Sequence, residues 1–132
     1  MKDTLKLSIL TPDRVLFSGE IKELMTENEL GRISILPNHV AMICSLIPTV
    51  TTFIEENSNE KKVFSSSGVL KVKENEIEML CETAEWPEEI DIERAEASMK
   101  KAEEILEKSS GHENKRAELK LRRSMMRILA KH

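Results

Sequence analysis

The chain has 132 residues, enough for one ordinary domain with an appendage or for two small units. Charged residues make up 33% and the formal net charge is -4, so no bulk positive charge points to non-specific nucleic-acid binding. Aromatic residues make up only 3% and Tyr is absent, which argues against a base-stacking surface. Leu5, Leu7 and Ile9 alternate as a strand does and stop at Thr11-Pro12-Asp13-Arg14, a turn with Pro at its second position. Val15 to Phe17 and, after Gly19, Ile21 to Met25 read as two short strands. A turn at Asn28-Glu29-Leu30-Gly31 leads into Ile33, Ile35 and Leu36, which end at Pro37-Asn38-His39. Val40 to Leu46 is an apolar run that Pro48 inclines towards strand, and Val50 to Ile54 continues with β-branched residues. Glu55 to Lys62 reads as a solvated loop. Val63-Phe64, Val69 to Val72 and Glu76 to Cys81 read as strands, the last two joined by a hairpin at Glu74-Asn75. Short strands at near-regular spacing, with turn residues between them, predict a sandwich or barrel.

The pattern changes at residues 82–95. Pro87 disfavours helix at Trp86, and Asp91 is placed to cap a helix whose first turn carries further acids. Ile92, Ala95, Met99, Ala102 and Leu106 then step by three and four, the spacing of a narrow helical seam. Ser109-Ser110-Gly111 ends that helix, and Ala117, Leu121, Met125 and Ile128 give a second one its apolar face. Two helices with so short a connection predict an antiparallel hairpin in which each covers the other's stripe. The fold class is therefore β plus α, with a β-sandwich or barrel domain at 1–86 and a helical hairpin at 87–132.

Charge separates the two helices. Residues 88–108 carry four basic and eight acidic side chains, while residues 112–132 carry seven basic and two acidic. Arg116, Lys120, Arg123, Arg127 and Lys131 line one flank of the last helix. That flank reads equally as a solvated face paired with the acidic first helix and as a rail for an acidic partner.

Signatures of chemistry are absent. The chain has no GxxxxGK[ST], GxSxG, HExxH or GxGxxG, and no His or Cys pair at metal-ligand spacing, so neither an enzyme nor a metal site is expected. His39 reads as a turn residue whose ring bonds backbone groups, and Glu82, Glu85, Glu88 and Glu89 as an exposed acidic linker. Cys44 and Cys81 read as buried free thiols of a reducing compartment. No apolar run is long enough to span a bilayer, and Met1-Lys2-Asp3-Thr4 does not open a signal peptide.

Four stretches in order resemble the epsilon subunit family of the rotary F-type ATP synthase: Leu7 to Glu20, Gly31 to His39, Ser66 to Val72, and Glu82 to Ala95 with its Thr-Ala-Glu and Ile-Asp-Ile-Glu-Arg-Ala. The resemblance implies a ten-stranded sandwich followed by two helices, in a non-catalytic rotor subunit. It implies as partners the gamma subunit and c-ring, with the alpha and beta subunits met when the tail extends and resists ATP hydrolysis. Arg116, Lys120, Arg123 and Arg127 then become candidates for the acidic segment of beta. No cofactor is required, but some members bind ATP on the folded tail. The matching positions here are Glu85, Ile90, Asp91, Arg94, Arg123 and Arg127, with Lys101 standing where some members have another arginine. The implied location is peripheral, through the complex, on the cytoplasmic face of a bacterial membrane. A stand-alone ATP-sensing module is the alternative. Ser34 and Ser67 replace glycines usual in the family, a potential strain if either position needs a positive φ.

Overall fold

A computed structural model describes residues 2–108 and 111–132, excepting the side chains of His112 and Glu113. Nine strands are found among the described residues: β1 Leu5–Leu10, β2 Val15–Asn28, β3 Gly31–Ile35, β4 Met42–Leu46, β5 Thr49–Glu55, β6 Glu60–Ser65, β7 Gly68–Lys73, β8 Glu76–Cys81 and β9 Ala84–Glu85. A 3-10 turn, Pro87–Glu89, leads to helices α1 Ile92–Lys108 and α2 His112–Lys131. Ser109 and Ser110, expected to end the first helix, lie outside the described residues. The β-sandwich and two-helix tail expected from the pattern are present, with one strand fewer than the family resemblance implies.

The long β2 builds the sandwich. Its first half pairs with β1, and β1 runs parallel to β8, which continues through β7 to β4. Its second half pairs with β3 on one edge and β5 on the other, and β5 continues through β6 to β9. Sequence alone suggested two strands here, because Ser18 and Gly19 break the apolar alternation. In the sheet they stay in the ladder opposite Ser8 and Leu7, so one strand serves both layers. The expected loop at 55–62 is also shorter than its polarity suggested. Glu60, Lys61 and Lys62 pair with Ile54, Phe53 and Thr52, their side chains largely solvated on an outer strand.

Between the layers lies a core that includes Leu5, Leu7, Ile9, Ile21, Leu24, Ile35, Phe53, Leu70, Ile77 and Met79, all at most 1% exposed. Alternation puts these side chains inside and their neighbours outside. Buried hydroxyls are paired across the strands: Thr26 to Thr51 at 2.8 Å and Thr51 to Ser65 at 2.7 Å. Cys81 is buried, which pushes its thiol up to about 11, and both cysteines are free. Neither Ser34 nor Ser67 is among the non-glycine residues with positive φ, which are Asn38, Ser58, Glu74 and Asn75. The glycine that matters is Gly68. A β-carbon there would overlap the Leu80 carbonyl oxygen and stand 2.9 Å from the Cys81 Cα.

The helices pack on each other, and α2 lies across the outer face of β5 and β6. There Ala130 and Met126 meet Phe64, Val50 and Ile90 in a second, smaller cluster. Phe64 is fully buried although it points away from the sandwich core, because the hairpin is docked on it.

Candidate functional site: a cleft between the linker and the two helices

The linker reaches the helices by a path fixed at several points. Ala84 and Glu85 pair with Ser65 and Phe64. Trp86 is extended at φ -71° and ψ 151°, as a residue before proline prefers, and its ring meets Phe53 edge-on at 6.4 Å. Pro87 then opens the 3-10 turn, where its fixed φ suits a first position. The Glu89 carboxylate reaches back to accept the Trp86 N–H at 2.8 Å. Both Glu89 oxygens also accept from the Arg14 guanidinium, each at 2.7 Å, and Arg14 donates further to the Ala84 carbonyl at 3.1 Å. The Arg14 bonds, with the Trp86 N–H second, hold the Glu89 carboxyl down to about 2. Glu82, Glu88 and Glu89 are exposed, as expected of an acidic linker, and Glu85 is half-buried; Glu85 and Glu89 are in addition each held by an arginine.

Ile90 closes the turn and is buried against Phe64 and Ala130. Asp91 caps α1 as its residue type led one to expect, its Oδ1 accepting the Arg94 N–H at 3.1 Å. Arg127 of α2 donates from Nε to Glu85 at 2.7 Å, with its guanidinium 4.5 Å from the Phe64 ring centre. Lys131 donates to the Pro87 carbonyl at 3.0 Å. Elsewhere along α2, Arg122 donates to the Pro48 carbonyl and pairs with Glu27 at 3.1 Å. Arg122 falls outside the regular basic flank, and nothing in the spacing had marked it. Arg14, 75 residues from Glu89, was equally silent in the sequence.

Two adjoining cavities result. One, of about 330 Å³, is lined by Glu85, Glu89, Asp91, Arg94, Ala95, Ser98 and Arg127. The other, of about 220 Å³, lies between the helices and is lined by Ser98, Lys101, Ala102, Ile105, Lys120, Arg123, Ser124 and Arg127. Ser98 and Arg127 belong to both. The first mixes carboxylates with guanidinium groups; the second has four cations and no carboxylate among its described lining residues. Lys101, Lys120 and Arg123 make no ion pair among the described residues. Such a cleft suits an elongated anion whose uncharged, hydrogen-bonding end faces acids and whose charged end faces planar donors.

Of the residues expected to hold ATP, Glu85, Asp91, Arg94 and Arg127 line the first cavity and Arg123 the second, while Ile90 lines neither and is buried in the apolar cluster with Phe64 and Ala130. Of the basic flank, Lys120, Arg123 and Arg127 turn into the cleft. Arg116 is exposed and lines neither cavity. His39 bonds the Val40 carbonyl from its ring at 2.7 Å, as a turn residue would. Among the described residues, no group of His, Cys, Asp or Glu could hold a metal ion, and no helix is long and apolar enough to cross a membrane.

Fold and cleft define a class: a β-sandwich protein with a docked helical hairpin and a cation-lined gap between hairpin and linker. A family model described as the ATP synthase delta/epsilon chain beta-sandwich domain matches residues 4–87, and one described as that chain's long alpha-helix domain matches residues 88–131. The chain belongs to this ATP synthase delta/epsilon family. Among its relatives, the ATP synthase epsilon chain of Clostridium kluyveri is 45% identical over 128 residues, 97% of each chain. That of Clostridium novyi is 48% identical over 97% of this chain and 98% of its own. That of Clostridium botulinum is 51% identical over 80% of each. A chain in the Euglena gracilis mitochondrial ATP synthase OSCP/F1/c-ring structure shares the fold with a TM-score of 0.88 at 16% identity, covering 100% of this chain and 84% of its own. One in the Tetrahymena thermophila ATP synthase central stalk/c-ring does so at 0.64 and 13%, covering 99% and 98%.

Proposed function

We propose that this chain is a non-catalytic rotor subunit in two working parts, a sandwich at 1–86 and a regulatory hairpin at 87–132. The sandwich joins the gamma shaft to the ion-driven c-ring. The hairpin restrains ATP hydrolysis when it extends towards the alpha and beta subunits, at the cytoplasmic face of a bacterial membrane. Membership of the family supports this, as do the fold neighbours found in F1/c-ring and central-stalk assemblies. So does the sandwich surface. Val69, Leu80, Leu10 and Val15 lie side by side across β7, β8, β1 and β2. Val15 is 61% exposed, and Ile43 on neighbouring β4 is 70% exposed. An outward apolar row of this kind suits a protein partner, and we assign it to the shaft.

The hairpin's regulator is ATP, held in the cleft by Glu85, Asp91, Arg94, Arg123 and Arg127, with Ile90 buried in the neighbouring apolar cluster. The carrying observation is that Arg127 borders both cavities while bonded to Glu85, so helix and linker meet at the side chain best placed for a phosphate. Lys120, Arg123 and Arg127 face the cleft when the hairpin is docked. They reach the acidic segment of beta, beside the already exposed Arg116, only after it leaves, so nucleotide and partner compete for Arg123 and Arg127.

Calorimetry of the full chain with ATP tests the cleft. Saturable binding that weakens at least about tenfold in Arg94→Ala is expected, since that change removes a charge-assisted donor. No heat with the unaltered chain would refute the nucleotide reading. Deleting residues 91–132 from the assembled complex is expected to raise ATP hydrolysis and leave coupling intact; unchanged hydrolysis would refute the restraint.

A further inference from the structure

Three carboxylates line the first cavity: Glu85, Glu89 and Asp91. Each must be compensated before a polyanion can sit beside it, because like charges at close range oppose binding. Glu85 has Arg127, and Asp91 caps a helix N-terminus, where the dipole favours negative charge. Glu89 is compensated from outside the cavity, by a residue of the β1–β2 turn that lines neither space.

We propose that Arg14 is a positioning residue of the nucleotide cleft, neutralising Glu89 and fixing the linker wall without touching the ligand. The inference rests on the reading of the cleft as an ATP site. The geometry is particular. One guanidinium makes a two-pronged bond to Glu89, at 2.7 Å on each prong, and its second nitrogen also reaches the Ala84 carbonyl. It therefore joins both ends of the segment 84–89 to one turn of the sandwich. Glu89 in turn holds the Trp86 N–H, and Trp86 packs against the core. A planar fork suits this task and a lysine does not, since a point charge cannot serve both carboxylate oxygens and a carbonyl in one plane.

Three consequences follow. Glu85 and Glu89 form a stationary wall carried by the sandwich, while Asp91, Arg94, Arg123 and Arg127 travel with the helices. The turning point of the chain then falls at Ile90–Asp91, beyond the clamp, so residues 87–89 at the start of the hairpin part stay with the sandwich. The clamp also keeps the Glu89 charge from facing the phosphates uncompensated.

The test is ATP calorimetry on the full chain with Arg14→Gln, Glu89→Gln and the double variant, folding being checked by thermal unfolding. Arg14→Gln is expected to weaken binding about tenfold, because the Glu89 charge is left unopposed. Adding Glu89→Gln is expected to return the affinity to within about threefold of the unaltered chain, because it removes the unopposed charge, whereas a general folding defect caused by losing Arg14 would leave the double variant weak. Glu89→Gln alone is expected to tighten binding. Arg14→Gln binding as tightly as the unaltered chain, or a double variant as weak as Arg14→Gln, overturns the proposal. So does a weakened Glu89→Gln, which keeps the variant set decisive if Arg14→Gln fails to fold. If the unaltered chain takes no ATP, the nucleotide reading itself has failed, a result distinct from binding that ignores Arg14.

Discussion

Replacing Arg127 with Gln isolates one of the contacts that hold the hairpin down. The residue makes two interactions across the docking surface: a 2.7 Å ion pair with Glu85 and a cation–ring contact with Phe64 at 4.5 Å. The paired side chains are 26% and 30% exposed, too covered for a freely solvated pair and too open for a dry one. A surface pair contributes about 0–1 kcal/mol, and a charge-assisted hydrogen bond about 1.5–3 kcal/mol. The ring contact adds about 0.5–1 kcal/mol. Gln keeps some packing on Phe64, so a loss of about 2 kcal/mol in docking is the central expectation, roughly a 30-fold shift towards the undocked tail. The sandwich core makes no use of Arg127 and should keep its stability. Amide hydrogen exchange reads the two parts separately. Exchange across residues 116–131 should accelerate about 30-fold where it proceeds through undocking, with β1, β7 and β8 unchanged. Acceleration under twofold in the helix, or equal acceleration in helix and strands, would refute the reasoning.

Gly68→Ala places a methyl group into the Leu80 carbonyl and against the Cys81 backbone, neither of which can yield without breaking the β7–β8 ladder. A loss of about 3 kcal/mol is expected, seen as a thermal midpoint lower by roughly 10 °C or more. Acid should loosen the Arg14–Glu89 clamp. The Glu89 carboxyl is lowered from an ordinary 4.5 to about 2, so its contribution is complete above about pH 4.5 and is lost as pH falls towards 2. With side chains 42% and 37% exposed, that contribution is about 1 kcal/mol at most. The fall in thermal midpoint between pH 4.5 and 2.5 should be smaller in Arg14→Gln than in the unaltered chain, and an equal fall would count against the clamp.

Most strands could be read because the core needs alternate side chains from each, as Leu5-Leu7-Ile9 and Leu70-Val72 illustrate. The hairpin at Glu74-Asn75 was legible for a similar local reason, and both residues have positive φ, at 50° and 61°. Polarity misled where a strand has a wet outer face, as at Glu60 to Lys62, and where small residues interrupt a pattern without interrupting the ladder, as at Ser18-Gly19. The helical residues of the cleft were legible through the Ile-Asp-Ile-Glu-Arg-Ala stretch and the regular steps of the basic flank. The partners that fix them were not. Arg14 with Glu89 and Arg122 with Glu27 join residues far apart in the chain through single contacts, and no periodicity records such pairs.

If Glu85 and Glu89 move as one body and Asp91, Arg94, Arg123 and Arg127 as another, as proposed above, a quantitative corollary follows. An occupant of the cleft would sense the closure of a joint as well as the chemistry of its walls. If the joint were shut one-tenth of the time, the measured dissociation constant would be about tenfold larger than the closed cleft's own. Substitutions remote from every ligand atom, such as one at Arg122, would then change apparent affinity through the shut fraction alone. Two homologues with identical walls could thereby respond at quite different nucleotide concentrations.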